Sequence, residues 1–214
     1  MRLDLAAIDA ALRAVQADFA RLSPHLGTPR DPMTDMVRDH LLDGYRLVDE
    51  ALRTGLDPFA PGHSRWLLEL NRRVLCGTDA TRRREYAEHL RATERHFYDG
   101  SGGGIGALIE WLARHRGADI WQRAAGLYIQ LLSQPQLFLE GNHRTGVLVV
   151  SYLLAREGHL PFVLSVANAR VYFDLSARIK HRRRDGLALL VAGIGIRRQL
   201  VRLLREESAV SRSV

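Results

Sequence analysis

The chain has 214 residues, 46% of them hydrophobic and 26% charged, which suits one substantial core and argues against disorder beyond the two ends. Its formal net charge of +7 is carried almost wholly by arginine, Lys180 being the only lysine. The single cysteine, Cys76, excludes an intrachain disulfide framework and a thiol-rich zinc site, and its place at the end of an apolar helix points to buried packing.

Asp4, Asp9 and Asp18 lie in an amphipathic N-terminal pattern, which is not that of a secretory signal. The longest apolar run, 186–196, is about half the ~20 residues of a membrane span. A cytoplasmic address without a membrane partner is the expectation. Short basic runs at Arg82, Arg83, Arg84 and at Arg182, Arg183, Arg184 read as solvated helix ends, with an acidic partner surface as the alternative. No helix-turn-helix, zinc or stacking motif accompanies them, so nucleic acid is not the expected partner.

Periodicity predicts helix nearly throughout. Leu5, Ile8, Leu12, Val15, Phe19 and Leu22 recur at three- and four-residue spacing in a first helix that stops before Pro24. Three prolines and a glycine make 23–32 a loop. A second helix is predicted over 34–54, with Gly55 as its C-cap, and Ser64 is placed as the cap of a third that carries Leu67, Leu68, Leu70, Val74 and Leu75. A charged helix is predicted over 79–91. The segment after it, ending in four glycines within 100–104, reads as a connection or hairpin. Helices are predicted again over 105–115 and 118–133, then from Arg144, then near 166–180 and 185–206. The class is all-α.

Residues 136–144 read Gln-Leu-Phe-Leu-Glu-Gly-Asn-His-Arg, between one apolar helix and the start of another. A helix N-terminus presents unpaired N–H groups and partial positive charge. Gly141 permits the backbone that turns successive amides inward, Asn142 supplies a side-chain amide to fix the loop, and Arg144 adds a planar cation. Glu140 is a single carboxylate of the kind that holds Mg²⁺ jointly with phosphates. On residues alone, a phosphate-plus-magnesium site and an ordinary capped interhelical turn both stand.

At Phe138, Glu140, Gly141, Asn142 and Arg144 this loop resembles the signature of the Fic family, His-Pro-Phe-x-(Asp/Glu)-Gly-Asn-Gly-Arg-x-x-Arg. The resemblance implies a Fic-like helical bundle over 59–214, preceded by an N-terminal helical extension over 1–58. It also implies a small β-hairpin flap over 91–104. The implied activity is transfer of AMP or a related phospho-group from ATP or another nucleotide, with Mg²⁺, to a hydroxyl of an unidentified target protein. A homodimer is left open.

Carried over residue by residue, Glu140 would hold Mg²⁺. Gly141, Asn142 and the backbone that follows at His143 and Arg144 would cradle phosphate, and Arg144 would neutralise charge on the leaving phosphates. Gln136 occupies the position of the family's general-base histidine; it can orient a hydroxyl but cannot take its proton.

Two further departures from the signature bear on the chemistry. His143 replaces a glycine, where the family's Doc branch has a lysine. It reads as a helix-start histidine bonded to nearby backbone, as a phosphate contact, or as a replacement base. Val147 stands where the signature has its last arginine, and the inhibitory Ser/Thr-x-x-x-Glu-Gly/Asn motif is absent. An inactive Fic-fold binding or regulatory protein is therefore the alternative reading, and a phosphoester hydrolase a third.

Seven further histidines, His40, His63, His89, His96, His115, His159 and His181, show no metal-ligand spacing and are assigned to surface or capping roles. Trp66, Trp111 and Trp121 fall at core spacing. Asn168 and Tyr172 share a face and are candidate pocket residues.

Overall fold

Local capping starts the first two helices of the structure, a computed structural model that describes residues 2–100, 104–182 and 187–210. α1 (Leu5–Leu22) begins where the Asp4 carboxylate accepts from the Ala7 amide at 2.9 Å. α2 (Asp35–Thr54) begins where Thr34 Oγ1 accepts from the Val37 amide at 3.3 Å. Gly55 ends α2 in the left-handed region, its N–H donating to Ala51 O, as the sequence predicts. Between the two helices, a 3₁₀ turn at Ser23–His25 leads into irregular backbone.

α3 (Arg65–Cys76) departs from expectation at its start. Ser64 has helical backbone angles, and its hydroxyl makes no capping bond; it lies 3.4 Å from the Tyr98 hydroxyl instead. A side-chain cap needs an extended residue, and Ser64 is not one.

The predicted 79–91 helix is two helices, α4 (Ala80–Glu85) and α5 (Ala87–Tyr98), broken at Tyr86. Residues 91–98, expected to lie in a connection or flap, are therefore helical, and the described residues contain no β-hairpin; 101–103 lie outside them. The reason is packing. α4 buries nothing, whereas α5 buries Leu90, Thr93 and Phe97 on one stripe, and Thr93 disguises that stripe in an apolar-pattern reading.

α6 (Ile105–Arg114), α7 (Ile120–Leu132), α8 (Asn142–Arg156), α9 (Ala169–Lys180) and α10 (Leu187–Val210) complete an all-α architecture of ten α-helices among the described residues. α8 is its axis. Every residue from Thr145 to Ala155 is buried, and α7, α2 and α3 pack around it; a helix apolar on all sides belongs in an interior. Gly44 of α2 faces Leu148 of α8 so closely that a Cβ there would overlap it.

One hydrophobic cluster runs from Leu3 to Leu204, continuous across position 58, so the N-terminal helices share the core. Trp66, Trp111 and Trp121 are half-buried against it, and Cys76 is fully buried. Among the described residues, no helix is long and apolar enough to cross a membrane.

Candidate functional site

The loop between α7 and α8 is shaped by its own asparagine. Asn142 is 4% exposed, and its side chain closes a ring on Phe138. Oδ1 accepts from Phe138 N at 2.9 Å, and Nδ2 donates to Phe138 O at 2.7 Å. α5 braces the same loop from outside: the Phe97 ring stacks on Phe138 at 5.5 Å, and His96 Nε2 donates to Gln136 O at 2.8 Å. α3 braces it from below, where Asn71 Nδ2 donates to Glu140 O at 2.9 Å and to Thr145 Oγ1 at 3.0 Å.

Gly141 forms the turn into α8 with φ 75°, the left-handed region its identity predicts. A Cβ there would stand 2.9 Å from Asn71 Nδ2. Gly141→Ala is expected to cost about 2 kcal/mol, from left-handed strain and a displaced Asn71; a urea midpoint measurement checks this. The backbone amides of Asn142, His143 and Arg144, the first turn of α8, have no hydrogen-bond partner among the described residues.

These residues line a cavity of about 390 Å³. Gln136, Glu140, Gly141, Asn142, His143 and Arg144 all border it, so the predicted site residues are brought together in one place. Val147 borders it as well, an aliphatic side chain one turn into α8. The opposite wall comes from the α1–α2 connection and α2, through Arg30, Asp31, Met33 and Leu41. A third comes from α9, through Tyr172, Phe173 and Lys180.

Gln136 is occupied internally. Its Nε2 donates to Leu132 O at 3.1 Å, and its Oε1 accepts from Asn142 Nδ2 at 3.4 Å. Arg144 is anchored by Nη1 to Val74 O at 2.9 Å; burial pulls its pKa below the ordinary value, opposed by Glu140. The Glu140 side chain is 54% exposed, with His89 Nε2 3.8 Å from Oε2.

His143 does not cap the helix. Its Nε2 lies 3.5 Å from Arg30 Nη1, and its Nδ1 is buried without a partner. A guanidinium only donates, so Nε2 is the acceptor and Nδ1 carries the proton. Burial first, then Arg30, Lys180 and Arg144, lower the His143 pKa to about 3. A group so weakly basic is a poor proton acceptor near neutrality, which removes the physical basis of the replacement-base reading.

Of the two α9 candidates, only Tyr172 borders the cavity; its hydroxyl donates to His143 O at 3.1 Å and accepts from Tyr128 at 2.8 Å. Asn168 instead ties down the preceding segment through Ser165 N and Val163 O.

Arg30, Lys180, Asn71, His89 and His96 neighbour the loop without having been singled out for it in the sequence, and His40, expected in a surface or capping role, is buried. Asn71 carried a signal, a lone amide on the apolar stripe of α3, since a buried polar group needs a partner. The others had none. Among the described residues, no group of three or more His, Cys, Asp or Glu side chains is arranged to hold a metal ion.

No family model, no curated protein and no solved structure matches the chain. The resemblance of the loop to the Fic signature thus rests on the loop residues themselves.

Proposed function

We propose that this chain is a Fic-like protein whose cleft binds the phosphates of a nucleotide, and that any transfer of AMP or a related phospho-group to a protein hydroxyl is slow. One observation carries the reading. Asn142, His143 and Arg144, which follow a left-handed Gly141 and whose amides have no partner among the described residues, border a cavity also lined by the cations Arg30 and Lys180.

The donor set fits Mg²⁺ in one way. Glu140 is an exposed carboxylate without an arginine partner, and a single carboxylate binds Mg²⁺ jointly with ligand phosphates rather than alone. The ion would supply charge neutralisation at those phosphates; the chain's own part is to hold them on the amides and beside Arg144.

Slow transfer follows from Gln136. It cannot titrate, and the absence of a general base is worth roughly 10²–10⁴ in rate. The internal commitments of Gln136, together with a His143 too weakly basic to replace a base, favour a second reading in which the protein binds and regulates without transfer. Gln136→His separates the two: labelled nucleotide appearing on protein only in the variant supports the binding-only reading, and turnover by the unaltered chain overturns it.

The primary test is a thermal-shift panel of ATP, GTP, CTP, UTP and non-nucleotide phosphates with Mg²⁺. Stabilisation by at least one of them is expected, with its Mg²⁺-dependent part lost in Glu140→Ala. That substitution should change intrinsic stability by no more than about 0.5 kcal/mol, because the side chain is exposed. No shift with any ligand would overturn the proposal.

A further inference from the structure

The connection between α1 and α2 is tied across the cleft to α9. Gly27 N donates to Asp174 Oδ1 at 3.0 Å, and Arg30 Nη2 donates to Phe173 O and to Ser176 Oγ, each at 3.2 Å. The Arg30 guanidinium also lies 5.7 Å from the Phe173 ring centroid. These bonds hold Arg30 at the cavity wall, beside His143.

That placement is electrostatically incomplete. Among the described residues, Arg30, Arg144 and Lys180 border one cavity with Asp31 and the half-exposed Glu140 as its carboxylates. The buried Arg30 Nε has no hydrogen-bond partner among the described residues, and neither does the buried His143 Nδ1. Buried donors are normally paired, and an orphan of a charged group is costly to keep. Arg30 makes no ion pair among the described residues, and it meets a neutral imidazole through Nη1. An anion in the cavity would relieve the mutual repulsion of the three cations.

We propose that Arg30, together with Lys180, binds the distal charge of a ligand bearing two or more phosphates, so that the α1–α2 connection is part of the binding site. The inference rests on the phosphate-site reading and sharpens it to a multiply phosphorylated ligand. Val147 leaves the α8 wall beyond Arg144 without a cation, and Arg30 and Lys180 supply that charge from the other two walls. It also assigns the N-terminal helices a task, since α1 and α2 fix the two ends of the segment that carries Arg30.

The test is calorimetric titration of the full chain with inorganic phosphate, pyrophosphate and tripolyphosphate in Mg²⁺, for the unaltered protein, Arg30→Gln and Lys180→Gln. Tripolyphosphate should bind more tightly than phosphate to the unaltered chain. Each substitution should weaken tripolyphosphate on the order of tenfold or more, and phosphate much less. Lys180 is exposed, so its variant tests ligand contact without disturbing the core.

If Arg30→Gln and Lys180→Gln bind tripolyphosphate as the unaltered chain does, the role of these residues is overturned and the phosphate site at α8 survives. If the unaltered chain binds none of the three probes, both readings fall. Should Arg30→Gln not fold, Arg30→Lys is read in its place, because it keeps the charge and loses the planar fork. An undiminished preference for tripolyphosphate in that variant overturns the proposal, and a several-fold loss supports it.

Discussion

Asn142→Ala is expected to destabilise the protein by about 3 kcal/mol. The truncation strips partners from both the N–H and the C=O of Phe138, a residue 1% exposed. An unsatisfied buried group costs about 1–3 kcal/mol, and two are created.

Asn142→Asp makes the comparison sharper. It keeps the acceptor for Phe138 N but loses the donor and sets a carboxylate against Phe138 O, so it should be at least as damaging. Urea unfolding of both variants measures this. A cost below about 1 kcal/mol would show that α5, through Phe97 and His96, holds the loop without its asparagine.

His143→Gln is expected to flatten the acid side of the stability profile. The folded-state pKa of His143 is about 3 against an ordinary 6.5, so between those values the unfolded chain binds a proton that the folded chain excludes. The contribution of the neutral ring is fully present above the unfolded pKa and is lost as pH falls towards 3. Between about pH 7 and about pH 5 the loss is about 2 kcal/mol. His40, whose pKa burial also lowers, contributes in the same direction but is common to both proteins and drops out of the difference. Chemical denaturation at the two pH values gives the comparison. A difference between the two proteins that does not change with pH would place His143 in a more solvated setting than the cleft provides.

Much of the architecture was legible before folding, because it is local. The stripe of Ile8, Leu12, Val15 and Phe19 identifies α1, and Gly55 ends α2 in the conformation only glycine adopts freely. Gly141 and Asn142 likewise announce a left-handed turn and a loop-fixing amide within five residues of each other's partners. Where local signals are ambiguous, sequence and structure part. Thr93 conceals the buried face of α5, so pattern alone leaves 92–98 outside a helix, and Ser64 has a capping side chain but a backbone that does not allow the cap.

Composition, periodicity and special residues thus determined the all-α class, most helix bounds and the loop at Glu140 to Arg144, since each depends on neighbours a few positions away. Tertiary structure alone decided what faces that loop. Arg30 reaches Ser176 across 146 positions of chain, and His96 reaches Gln136 across 40. Contacts of that range follow from how α2, α3 and α7 pack on α8 and how α1, α5 and α9 pack in turn on those three, and packing leaves no periodic trace at the residues it brings together. The same packing occupies both ends of the Gln136 amide and keeps the His143 ring neutral, two features that no neighbour in sequence announces.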